Sequence, residues 1–136
     1  MKKYMKFLLA VKAIIRKDGK ILVLKRSGDD DHQPGVWETP GGGVDQEEAP
    51  EKALSREIME ETGLGVTIGK PFNVFTFRRD SGEFKVGITF LCDHADGEVK
   101  LSHEHSEYKW IDPSEFAMLP SIPSLYEEIA RYGNEV

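Results

Sequence analysis

Cysteine is almost absent from this chain: Cys92 is the single thiol among 136 residues. No internal disulfide can form, so stability must come from a packed core, and a reducing, cytoplasmic setting is the expectation. Long hydrophobic runs are also missing. The apolar run over residues 7–11 ends at Lys12, far short of the roughly 20 apolar residues a membrane span needs. The opening Met1-Lys2-Lys3-Tyr4-Met5-Lys6 briefly imitates a signal peptide, but no small-residue cleavage site follows, so the segment reads as the approach to a strand. An excess of positive charge is lacking as well. With 18 basic against 24 acidic residues, a net charge of −6 and no basic stripe, neither a nucleic-acid partner nor a membrane surface is expected. Repeats, low-complexity tracts and linkers do not occur. The chain therefore reads as one domain over residues 1–136, large enough to bury roughly two-thirds of its unfolded surface.

What is present concentrates in residues 42–64. Pro40, Gly41, Gly42 and Gly43 predict a loop of unusual backbone freedom. Pro50 suits a first helical turn, residues 51–62 are good helix formers, and Gly63 supplies the left-handed position that ends many helices. Along that helix Glu57, Glu60 and Glu61 stand at i, i+3 and i+4, on one face. Residues 45–61 hold seven acids against Lys52 and Arg56. Like charges so placed oppose helix formation unless something positive sits among them. A hard divalent cation with oxygen ligands, Mg²⁺ or Mn²⁺, is the simplest account, ahead of a solvated acidic face.

The same stretch resembles the signature of the Nudix hydrolase family, MutT-like proteins included. The pattern G-x(5)-E-x(7)-R-E-U-x-E-E-x-G-U is met at Gly42, Glu48, Arg56, Glu57, Ile58, Glu60, Glu61, Gly63 and Leu64. One neighbouring position departs: many members have Gly before the first motif Glu, and this chain has Glu47, which bears on loop shape. The resemblance implies an α+β fold, a mixed sheet sandwiched between helices, and metal-dependent hydrolysis of a nucleoside diphosphate linked to another group. It implies that Glu57, Glu60 and Glu61 carry the metals, that backbone around Gly41 and Gly42 approaches them through a carbonyl oxygen, and that Glu57 or a further acid serves as base. That further acid comes from the loop before the Trp-containing strand, as ligand or base. Glu104 and Glu107 both qualify by position, and Glu104 is preferred because Glu107 can alternate outward on the strand leading to Trp110. Arg56, four residues before Glu60 and eight after Glu48, is read as orienting these carboxylates by ion pairing.

Elsewhere the pattern is mostly structural. Residues 7–16 and 21–24, separated by Asp18-Gly19, predict a hairpin. Lys25 and Arg26 follow it, and Arg26 is a candidate phosphate contact, its planar donor fork being suited to that role. Residues 27–35 predict an exposed loop bordering the substrate, and residues 36–40 a short strand with Trp37 in the core. Val66, Ile68 and residues 72–77 suggest a strand broken by Gly69 and Pro71, turning at residues 79–82 into a partner strand over 84–91. Phe75, Phe77, Phe84 and Phe90 are core residues by default, though one could stack on a nucleobase. Arg78 and Arg79 read as solvated. His103 and His105 flank Glu104, without the spacing or cysteines of a zinc site. Asp112 should cap a short helix, and Leu125, Ile129 and Tyr132 an amphipathic one. Loops outside the signature must select the substrate. The compact chain favours a nucleoside triphosphate and a house-cleaning pyrophosphatase role. Dinucleoside polyphosphate or ADP-ribose hydrolysis is the alternative; an RNA cap hydrolase and a nucleotide-holding sensor that does not cleave stand behind it. Monomer and homodimer are both open.

Overall fold

The computed structural model describes residues 3, 4, 6–28 and 33–135; Asp29, Asp30, Asp31 and His32 of the expected substrate loop lie outside them. The described elements are β1 (Leu8–Lys17), β2 (Lys20–Arg26), β3 (Trp37–Glu38), β4 (Gly41–Gly43), α1 (Pro50–Thr62), β5 (Gly65–Arg78), β6 (Phe84–Asp96), β7 (His105–Ile111), a 3-10 turn (Pro113–Met118) and α2 (Pro123–Glu135). The seven strands make one mixed sheet, with β1 parallel to β6 and the remaining pairs antiparallel.

β1 is apolar on both faces because both are covered. Val11, Ala13 and Ile15 join Leu22, Leu24 and Phe90 beneath Ala53, Leu54 and Ile58 of α1. Ile14 packs on the opposite face with Val23, Trp37, Phe116, Ile129 and Tyr132. This is the expected sandwich. Leu54 and Ile58 are fully buried, each contributing about 1.5–3 kcal/mol from removal of apolar surface from water. Helix α1 begins at Pro50 after an extended Ala49 and closes on Gly63, whose φ of 73° lets its N–H reach the Met59 carbonyl. Asp112 caps the 3-10 turn as expected, and the structure adds a full capping box with Glu115.

Three expectations need correction. Gly41–Gly43 is a short strand on β1, pairing Gly41 with Lys12 and Gly43 with Ala10. The glycines are needed there for close approach: a Cβ on Gly41, where φ is 151°, would lie 2.1 Å from the Val11 carbonyl oxygen. The strand thought to break at Gly69 and Pro71 runs unbroken for 14 residues. It absorbs Pro71 through register shifts between Ile68 and Asn73, which is possible because β5 is the sheet edge and one flank of an edge strand needs no ladder donors. Phe77, assigned to the core, is 37% exposed. It stacks on Phe75 at 6.0 Å between centroids, next to the last residue of an edge strand.

β1 pairs with β4 at its start and with β2 at its end. Between them the Ala13 N–H donates to the Pro40 carbonyl at 2.9 Å. The segment Thr39–Pro40 therefore fills a split in the sheet, delivering Gly41 and Gly42 beneath the last two turns of α1.

Candidate active site

Arg56 organises the outer part of the site. Its Nε and Nη2 each donate to Glu48 at 2.9 Å, Nη1 donates to Glu57 at 3.1 Å and to Glu60 at 3.4 Å, and Nη2 also reaches the Gly43 carbonyl at 3.2 Å. One guanidinium thus joins the loop to Glu57 and Glu60 on one face of the helix. The paired hydrogen bonds from Arg56 hold the Glu48 carboxyl down at about 2, and those same bonds raise Arg56. Glu48 also accepts the Asp45 N–H at 3.0 Å, which closes the loop before α1. Within that loop Glu47 has φ 64°. The departure from glycine noted in the sequence therefore falls on a left-handed residue, where a side chain adds about 1–2 kcal/mol of strain.

The inner part rests on two glycines. Glu61 is buried and accepts the Gly41 N–H at 2.8 Å. Burial pushes its carboxyl up to about 7, against the pull of Lys12, the Gly41 N–H and His105 and with the push of Glu38. Glu57 lies directly over Gly42, where a Cβ would come within 2.4 Å of its carboxyl carbon. Burial raises Glu57 as well; Arg56 opposes this, and the charges of Glu60 and Glu104 add to it.

Beneath Glu61 lies a group that the sequence reading missed. Glu38 on β3 takes Lys12 of β1 at 3.5 Å on one carboxylate oxygen. On the other it accepts Arg26 of β2 at 3.0 Å and His105 of β7 at 2.7 Å. A carboxylate only accepts, so His105 Nε2 carries the proton of this bond. Burial opposes ionisation of Glu38, yet Lys12, His105 and Arg26 outweigh it and hold the carboxyl down at about 2. His105 is 1% exposed in its side chain, and its Nδ1 has no hydrogen-bond partner among the described residues. One signal for this group was available: Lys12 interrupts a strand whose neighbours are all apolar, and a cation there requires a buried acid.

Arg26, expected at a phosphate, is thus engaged with Glu38 in this structure. Glu104 lies on the side of Glu57, near enough to act on it electrostatically. Glu107 instead pairs with Lys25 at 3.2 Å and is 55% exposed. Glu57, Glu60 and Glu61 share the helix face but are not gathered about one point. Glu57 and Glu60 turn to Arg56, Glu61 to Gly41, and among the described residues no three His, Cys, Asp or Glu side chains converge as a metal cluster. The donors nonetheless suit a hard cation. They are carboxylate oxygens on a carbonyl-bearing loop with no side chains to intervene, and the place a Cβ of Gly42 would fill is taken by Glu57.

The NUDIX domain family model matches residues 6–132. The CTP pyrophosphohydrolase of Escherichia coli K12 is 36% identical over 121 residues, covering 88% of this chain and 87% of that protein. A MutT-like protein of Streptomyces ambofaciens is 30% identical over 102 residues, 75% of this chain, and the match spans 61% of that relative's length. The crystal structure of a MutT protein from Methanosarcina mazei Go1 superposes with a TM-score of 0.83 at 28% identity, covering 98% of both chains. A family model that spans most of the chain, a relative more than one-third identical over most of its length and a solved structure alike over nearly all of it agree: the chain belongs to the Nudix hydrolases.

Proposed function

We propose that this protein hydrolyses a phosphoanhydride bond of a nucleoside diphosphate linked to another group, with a nucleoside triphosphate as preferred substrate. The carrying observation is the placement of Glu57 and Glu61 on Gly42 and Gly41, with Arg56 bound to Glu57, Glu60 and Glu48. The similarity to an E. coli CTP pyrophosphohydrolase over 88% of the chain supports the triphosphate.

Glu57, Glu60, Glu61 and the Gly41 carbonyl would hold Mg²⁺ or Mn²⁺, with Glu104 closing the site from the other side. A cation bound there supplies neutralisation of the pyrophosphate oxygens and of the charge that develops on the leaving group. The chain's own residues do the rest. Arg56 fixes the rotamers of Glu57 and Glu60. Glu57 or Glu104, whose charges oppose each other, accepts the proton of the attacking water. Arg26, at the end of β2, stands where a phosphate oxygen could draw it from Glu38.

The test is hydrolysis of a panel of triphosphates, oxidised nucleotides, ADP-ribose and dinucleoside polyphosphates with Mg²⁺, ranked by kcat/KM. A triphosphate should rank first and yield nucleoside monophosphate and pyrophosphate. Glu57→Gln should slow turnover by about 100- to 10,000-fold while the fold is kept. Hydrolysis of none of the panel, with nucleotide binding intact, would leave the non-cleaving sensor as the function.

A further inference from the structure

Lys12 is an unusual residue to find under a set of acidic side chains proposed to bind metal. It belongs to β1, its Cα is in register with Gly41, and its side-chain stem runs along that glycine, so close that a Cβ on Gly41 would be 2.9 Å from Lys12 Cδ. Its ammonium is within electrostatic reach of two acids, Glu38 and Glu61. Glu38 Oε1 is 3.5 Å from Nζ. Glu61 feels the positive charge of Lys12 but forms no ion pair with it, and spends one oxygen on the Gly41 N–H at 2.8 Å. Lysine is a compact cation on a flexible stem and turns readily to another acid within reach.

Glu38 is built to prevent that turn. Its second oxygen is fixed from two other strands by Arg26 and by the buried His105, so the first oxygen is presented to Lys12 in a set position. We propose that Glu38 is a positioning residue that holds the Lys12 ammonium away from Glu61, keeping the Glu61 carboxylate free for a divalent cation. This rests on the reading of Glu61 as a metal-binding residue given above. Without Glu38, the acid left to draw Lys12 among the described residues is the buried Glu61, in a poorly solvated site where opposite charges attract far more strongly than in water. A Lys12–Glu61 pair would then compete with the metal for the same oxygens.

Mn²⁺ binding, measured by the electron paramagnetic resonance signal of the free ion at pH 8, tests this apart from activity. Wild type, Glu38→Gln, Lys12→Met and the double variant are compared, with circular dichroism as the check on folding. Glu38→Gln should weaken Mn²⁺ binding by about tenfold or more, and adding Lys12→Met should restore it to within about threefold of wild type, a non-additivity expected of groups in one network. A purely structural loss would lower the stability of Glu38→Gln without changing the Mn²⁺ affinity of the folded protein, so the two readings separate at the single variant. Unchanged affinity in Glu38→Gln, or no recovery in the double variant, overturns the proposal and leaves the assigned reaction standing. Should Glu38→Gln fail to fold, Lys12→Met alone decides: equal or tighter Mn²⁺ binding supports the role, and weaker binding overturns it. A wild-type protein that neither binds Mn²⁺ nor cleaves nucleotides would overturn the reading of the site, and this inference with it.

Discussion

Replacing Glu61 with glutamine should make the metal-free protein more stable and inactive. Glu61 is 4% exposed, and its carboxyl is raised from an ordinary 4.5 to about 7. A raised carboxyl binds its proton more tightly folded than unfolded, so it lowers stability as pH climbs from 4.5 to 7, and the full penalty is present above 7. The shift of about 2.5 units corresponds to about 3 kcal/mol at pH 8, since one unit is worth about 1.4 kcal/mol. The attraction of Lys12 and His105 is already contained in that shift. Glutamine keeps an oxygen for the Gly41 N–H, is never charged, and so escapes the penalty. Urea unfolding of metal-free wild type and Glu61→Gln at pH 8 should show the variant more stable by about 2–3 kcal/mol, with unchanged m-value. At pH 5 the folded wild type is protonated, and the gap should close to under about 1 kcal/mol. Saturating Mg²⁺ should stabilise wild type but not the variant, narrowing the gap from the other side. A variant no more stable than wild type at pH 8, or a gap independent of pH, would refute the reasoning.

Gly42→Ala places a Cβ within 2.4 Å of the Glu57 carboxyl carbon and should displace that carboxylate, lowering kcat by about 100-fold or more while thermal unfolding moves little. Glu47→Gly relieves a left-handed residue at φ 64° and should stabilise by up to about 1 kcal/mol, measured by urea unfolding. Glu38 is held down at about 2 from an ordinary 4.5, so its stabilisation is full above 4.5 and lost as pH falls through 2. Wild type should lose about 3 kcal/mol across that window, and Glu38→Gln should show a shallower acid limb.

The helix and its arginine were legible because everything that makes them is local. Pro50, Gly63 and the spacing of Glu57, Glu60 and Glu61 act within a few turns, and Arg56 reaches Glu48 across the same stretch. Glu38, Lys12, Arg26 and His105 come from four strands, and periodicity carries no information about which strands will meet. His105 in particular stood out as one of two histidines flanking an acid, but its partner lies 67 residues away. The helix face was read correctly, whereas the convergence of its carboxylates was not, because helical spacing sets Cβ positions and Arg56 sets the rotamers. Phe77 lies outside the core for a related reason: it stands at the end of an edge strand, and residue type alone does not report where a strand falls in the sheet.

The register shifts around Pro71 also limit how the protein can assemble. β5 lies at the rim of the sheet with 14 residues of extended backbone, a length that invites another chain to add to it, and Val74 and Phe77 are exposed along it. Proline offers no N–H, and the shifts on both sides of it divide the rim into two short segments that no single straight strand can follow. A feature that looked in the sequence like the end of a strand therefore serves as a gatekeeper, which lets the sheet be wide at this flank without becoming a template for fibrils.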